Sequence, residues 1–364
     1  NTGMMGISWG GFNGLQVAAM QPPSLKAVIT LCSTVDRYAD DIHYKGGCLL
    51  GENFGWSANM LSYSSRAPDP AIVGDQWREM WPERLQAMPM LLSTWLRHPH
   101  RDDYWKHGSI CEDYSAIKAA VLSFGGWHDG YRNTPAHLAQ NIQSPVKAIV
   151  GPWIHKYPHF AAPEPRIGFL QVALQWWDRW LKGIDNGVEN EPAYKAWLMD
   201  SVEPKPWLPE RPGRWIAEAK WPSRNLIQQL YVLTNDGLSE SEGDLDQSIS
   251  SPQDTGLTAG EYFPFTYGPE LPDEQGEDDK RSLVFDGEPL GEDKDILDAP
   301  VVSLHFSSDQ PQALLHVRLC DVFPDGRSAL ITHGFLNLTH HGSHEDPKPL
   351  APDKVYEAHV VLDQ

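Results

Sequence analysis

Three residues of this sequence could together perform nucleophilic chemistry, and they occur in the order Ser8, Asp129, His155. Ser8 lies in Gly6-Ile7-Ser8-Trp9-Gly10-Gly11, a G-x-S-x-G arrangement that sets a serine on a strained strand-to-helix turn and keeps its neighbours small. A hydroxyl is a weak nucleophile until a base takes its proton, and that base needs an acid to orient it. Asp129 stands in Gly126-Trp127-His128-Asp129-Gly130, and His155 in Gly151-Pro152-Trp153-Ile154-His155. Each follows directly on an apolar run. His128 shares the acid's segment but precedes it, which breaks the order serine, acid, base, so it reads as structural. The chemistry implied is acyl transfer through a covalent intermediate.

Such residues need a scaffold that delivers them to one place. Gly10 to Met20 reads as a short helix stopped by Gln21-Pro22-Pro23. Ala27–Cys32, Ala119–Phe124 and Val146–Val150 are apolar runs rich in β-branched residues, the pattern of strands buried on both faces. Arg166–Lys182 carries apolar residues at helical spacing and ends at Gly183, a preferred C-terminal cap. Strands alternating with helices predict a parallel sheet, beyond whose carboxyl ends catalytic groups gather.

Between the first two strands lies an insertion, 36–115, with helical stretches such as Gln76–Gln86 and Trp56, Trp77, Trp81, Trp95 and Trp105. It is expected to form a cap whose tryptophans mostly fill its core. From 206 onward the pattern changes to alternating runs, Val301–Ser307, Leu314–Val322 and Ser328–Leu338, broken by turns such as Pro324-Asp325-Gly326. That predicts an all-β domain of jelly-roll type. The expected limits are 1–35 and 116–205 for the α/β core, 36–115 for the cap and 206–364 for the β domain.

The 364 residues carry a net charge of −20. Residues 236–298 hold 19 Asp and Glu against three Lys and Arg, so one loop-rich segment supplies most of it. So acidic a chain argues against nucleic acid as a partner. No apolar stretch is long enough to span a membrane. The four cysteines show no CxxC pairing, which argues against a disulfide framework or zinc site and is compatible with a reducing cytoplasm. Two histidine runs, His98-Pro99-His100 and His340-His341-Gly342-Ser343-His344, lack dependable ligand spacing, so no metal is expected. The serine comes within eight residues of Asn1, and the chain stops in Val360-Val361-Leu362, which reads like a strand. It is expected to be part of a longer protein.

With these residues in view, the chain resembles the cocaine-esterase-like (CocE/NonD) hydrolases, relatives of X-Pro dipeptidyl peptidases and α-amino acid ester hydrolases. The resemblance rests on the segments around Ser8, Asp129 and His155. It also rests on His98-Pro99 with Asp103-Tyr104-Trp105, on Trp176–Gly183 and on Phe323–Ser328, in the family's order and over nearly the whole chain. It implies an α/β-hydrolase domain with a helical cap insertion and a C-terminal jelly roll. It further implies Ser8 as nucleophile, His155 as base, Asp129 as orienting acid and the backbone N–H of Trp9 as one oxyanion donor. In such relatives the second donor is a tyrosine hydroxyl upstream of the nucleophile.

The amino-ester hydrolases recognise an ammonium through carboxylates, two of which would fall at Tyr131 and Arg132 here; Asp40 and Asp41 lie near the place of the third. An arginine there repels an ammonium, and Tyr131 suggests an aromatic wall for an uncharged acyl group. Trp56 and Trp153 are the other candidate pocket residues. The expectation is therefore a serine esterase acting on a small ester, amide or short peptide, without a cofactor. X-Pro dipeptidyl-peptidase or amide acylase activity is the alternative within the enzyme class. A non-catalytic protein binding a carbohydrate or partner is the alternative outside it. Homo-oligomerisation stays open.

Overall fold

Six strands form one sheet in the order in which they occur in the chain: β1 (Thr2–Ile7), β2 (Leu25–Leu31), β3 (Ala120–Gly126), β4 (Val146–Gly151), β5 (Tyr194–Met199) and β6 (Gly213–Glu218). The first five run parallel and β6 closes the edge antiparallel to β5. This computed structural model describes residues 1–265 and 268–364. The strands alternate with α1 (Trp9–Ala19), α2 (Thr134–Asn141) and α3 (Phe169–Lys182).

The reason for the unbroken apolar runs is visible in the packing. Val28 and Val121 face Leu15, Ala18 and Leu138 on one side of the sheet. Ile29, Leu31, Leu122 and Phe124 face Phe169, Ala173 and Trp176 on the other. Both faces being covered, every residue of β3 is buried, and each such Val, Leu or Ile contributes about 1.5–3 kcal/mol relative to exposure. The long helix begins at Phe169 rather than Arg166 and ends at Gly183, whose φ of 74° is the left-handed cap that glycine adopts without strain. Two strands, β5 and β6, had no clear sequence signal, and β6 carries the sheet past the expected boundary at 205.

The 36–115 insertion leaves the sheet between β2 and β3. Its helices Glu52–Ser64 and Trp77–Ala87 pack lightly: Asn53 is the one buried residue of the first, and the second buries none. Its core is aromatic, made of Tyr38, Tyr44, Trp95 and Trp105. Downstream, Val301–Phe306 pairs antiparallel with Tyr356–Val361, and Leu314–Val322 with Ser328–Asn337. The two ladders share a core of Leu336, Leu338, Leu350, Ala358, Val360 and Leu362. The architecture is an α/β-hydrolase sheet with a helical insertion, followed by an all-β domain. No helix among the described residues is long and apolar enough to cross a membrane.

Candidate active site

Ser8 occupies the single residue between β1 and α1, at φ 59° and ψ −129°. A non-glycine residue held there costs on the order of 1–3 kcal/mol, which the surrounding structure must offset. The glycines explain how the turn closes. A Cβ on Gly6 would come within 2.3 Å of the Gly10 backbone, and one on Gly11 within 2.7 Å of Thr30 Oγ1. Gly10 itself faces open space. The Ser8 N–H donates to Leu31 O at 2.9 Å, extending the β1–β2 ladder into the turn. Trp9, the next residue, is 54% exposed and opens α1, where the first N–H groups have no acceptor within the helix.

Asp129 and His155 follow β3 and β4, and the fold brings them together. His155 Nδ1 donates to Asp129 Oδ1 at 3.0 Å, with Asp129 fully buried and His155 nearly so. The Tyr131 N–H adds a bond to the same oxygen at 3.2 Å. Burial alone would push the Asp129 carboxyl up. The charge and hydrogen bond of His155, with help from the Cys32 thiol and the Tyr131 N–H, outweigh it and hold the group below the ordinary carboxylate value. With Nδ1 committed to the acid, Nε2 is the nitrogen left to accept a proton.

The walls of this site come from two directions. Phe263 and Phe265, far downstream in the acidic stretch, set their rings against His155 at 5.7 and 5.1 Å between centroids. Sequence reasoning missed them; the aromatic cluster Tyr262-Phe263-Pro264-Phe265 inside an otherwise acidic run was the available signal. On the cap side, the Tyr131 hydroxyl donates to Asp41 Oδ1 at 2.7 Å, and Asp41 pairs with Arg37 at 2.5 Å. The Arg37 guanidinium lies over Phe12 of α1 at 3.9 Å. A continuous set of contacts thus runs from the serine's helix to the acid's loop.

The candidate pocket residues behave differently from expectation. Tyr131 is 2% exposed and its hydroxyl is bound, so it is a buried strut rather than an open wall. Trp153 is buried in the sheet core, donating to Pro165 O at 2.8 Å, because Gly151 leaves room for its ring and Gly126 for its backbone. Trp56 packs against the aromatic core of the insertion. A cleft of about 1110 Å³ is lined by Trp127, His128 and Arg132 from the acid's loop, by Trp197 and by His333, but by none of Ser8, His155 or these three residues.

His128 is neutral at ordinary pH, its pKa lowered to about 3 by burial and then by Arg211 and Arg132. Asp40 and Asp41 are both taken: Asp41 as described, and Asp40 by Lys45 at 2.8 Å and Asn133 at 3.1 Å. In the histidine runs, His98 bonds Asp102 at 2.6 Å and His340 bonds His344 at 3.1 Å. Among the described residues, neither run gathers three ligand atoms. Cys32, Asp129 and His155 do: their ligand atoms lie within 4.8 Å of one another.

Comparison with known proteins gives the same outline. Residues 1–157 match the model of X-Pro dipeptidyl-peptidase (S15 family), and residues 186–364 that of the X-Pro dipeptidyl-peptidase C-terminal non-catalytic domain. A cocaine esterase of Rhodococcus sp. (strain MB1 Bresler) is 24% identical over 409 residues, covering 100% of this chain and 69% of the esterase. Among solved structures, an α-amino acid ester hydrolase superposes with a TM-score of 0.72 at 18% identity, covering 100% of this chain and 66% of that one. A CocE/NonD family hydrolase from Staphylococcus aureus gives 0.64 at 15%, covering 100% and 61%. The chain therefore spans about two thirds of the length of these relatives.

Proposed function

We propose that the chain, whose residues 1–157 match the X-Pro dipeptidyl-peptidase (S15) model and residues 186–364 its C-terminal domain, is a serine hydrolase of that family and carries the Ser-His-Asp machinery of an esterase for small, uncharged acyl groups. His155 Nε2 takes the proton of Ser8, and Ser8 attacks the ester carbonyl. The Trp9 N–H stabilises the developing oxyanion, and Asp129 holds the imidazolium until it protonates the leaving alcohol. Water then repeats the sequence on the acyl-enzyme and releases the acid.

The observation that carries this reading is the pairing of a strained Ser8 turn with a buried 3.0 Å Asp129–His155 bond, all three residues standing at strand ends of one sheet. The choice of ester over peptide rests on Asp40 and Asp41. Both already hold internal cations, which leaves them no charge to offer a substrate ammonium. We infer a division into a core of 1–35 and 116–218, a cap of 36–115 and a β domain beyond.

The test uses the full-length protein. A fluorophosphonate probe should modify Ser8, and p-nitrophenyl acetate should be hydrolysed in preference to an X-Pro p-nitroanilide. No adduct on Ser8 in folded protein would sink the hydrolase reading. Cleavage of the anilide alone would replace the esterase by a dipeptidyl-peptidase.

A further inference from the structure

Beside the acid and the base lies a third reactive group that the proposed hydrolysis does not use. Cys32 stands at the end of β2, its N–H continuing the ladder to Phe124 O at 2.9 Å. Its φ of 44° is one that a non-glycine residue seldom adopts. The thiol is 3% exposed and unpaired with any other cysteine. Asp129 Oδ2 is buried and receives no N–H or O–H hydrogen bond, although the Cys32 thiol helps hold the carboxylate. A buried carboxylate oxygen left in that state is costly, and the Asp129 carboxylate lies within 4.8 Å of both the Cys32 sulfur and an imidazole nitrogen of His155.

We propose that Cys32, Asp129 and His155 form a capture site for a thiophilic divalent cation such as Zn²⁺, and that occupancy switches the hydrolase off. Thiolate, imidazole and carboxylate are the ligands zinc takes, at about 2.0–2.3 Å. Those bond lengths put tetrahedral ligand atoms roughly 3.3–3.7 Å apart. The three groups, within 4.8 Å of one another, reach that spacing by side-chain rotation of about 1 Å.

The protons balance simply. The cation displaces the thiol proton to solvent and binds the sulfur, the free carboxylate oxygen and Nδ1. The imidazole keeps its one proton, now on Nε2, so the nitrogen that would accept the Ser8 proton is itself an N–H. One proton is released per cation bound. In the metal-free protein, burial and then the Asp129 charge hold the Cys32 thiol well above its ordinary pKa, so it stays protonated and inert until a cation arrives.

The site can be read without reference to catalysis. In the full-length protein, Cd²⁺ titration should give a saturable ultraviolet thiolate-to-cadmium charge-transfer band of one equivalent, reversed by a chelator. That band should be absent in Cys32→Ala and Cys32→Ser. Its apparent affinity should rise about tenfold per pH unit, as release of one proton requires. The inhibition arm rests on the hydrolase reading: Zn²⁺ should block ester hydrolysis, and the concentration needed should rise at least about tenfold in both variants. A band of equal size in the variants, no saturable band in the parent, or unchanged zinc sensitivity would each overturn the site. Absence of hydrolysis with the cadmium band intact would count against the catalytic reading alone.

Discussion

Lys45 and Asp363, 318 positions apart in the sequence, form an ion pair in the interior, where the two side chains are 8% and 1% exposed. Asp40 takes the same ammonium at 2.8 Å, and Asn133 donates to Asp363 at 2.7 Å. Arg132, next to Asn133, donates to the Asp129 backbone carbonyl at 2.8 Å. The insertion, the acid's loop and the end of the chain are therefore joined at one buried charge cluster beside the candidate active site.

Removing one partner strands the other charge. Asp363→Asn or Lys45→Met should each cost about 3–5 kcal/mol in denaturant unfolding. Lys45, followed by Arg132, outweighs the burial that would raise the Asp363 carboxyl and holds it well below the carboxylate range. Because the folded-state pKa is depressed, this stabilisation is full above the unfolded value of about 3.9 and is lost as pH falls below it. Asp363→Asn should flatten the acid limb of the stability curve; an unchanged limb would refute the assignment.

The Ser8 turn can be tested through its strain. Ser8→Gly should be more stable than Ser8→Ala by about 1 kcal/mol, because glycine adopts a φ of 59° freely. Neither variant should accept the fluorophosphonate. Equal unfolding midpoints would mean that the turn is relaxed in solution.

The two inner glycines of the motif are not equivalent. Gly6→Ala forces a Cβ into the Gly10 backbone and should cost about 2–3 kcal/mol. Gly10→Ala meets nothing and should gain up to about 1 kcal/mol from helix propensity. Thermal melts of the two single variants should move in opposite directions.

Two histidines that meet edge to face predict a second pH dependence, nearer neutrality. His316 and His333 contact at 3.2 Å, with pKa values lowered mainly by burial to about 4 and about 3. The unfolded chain binds their protons at about 6.5, so stability rises with pH through the window from about 3 to about 6.5 and falls as pH drops through it. Denaturant midpoints at pH 7 and 5 should differ more in the parent than in His333→Phe.

The proposed triad positions stand out in the sequence because each obeys a local rule: small residues around Ser8, and a strand end before Asp129 and before His155. The buried strands were legible because helices cover both faces and remove all alternation. Tyr194–Met199 and Gly213–Glu218 were not, since Lys195, Trp197, Arg214 and Trp215 near a half-exposed sheet edge interrupt any apolar run. The pocket tryptophans misled for a related reason. A large ring beside a glycine reads equally as a wall or as filling, and the Trp153 ring fills the space that Gly151 vacates. Cys32 gave no signal, because one cysteine closing an apolar strand looks like core until folding sets it beside Asp129.

Phe263 and Phe265 give His155, the proposed base, an aromatic wall that is encoded far from it in the chain. If Ser8, Asp129 and His155 react as proposed, the reacting groups and the aromatic wall beside them are inherited through two separate stretches of gene. A chimera joining the sheet of this protein to the downstream half of a homologue keeps Ser8, Asp129 and His155, but acquires the foreign aromatic wall beside them. Exchange of the 262–265 segment is thus a route by which one hydrolytic core can be retuned without a single change to the residues that react.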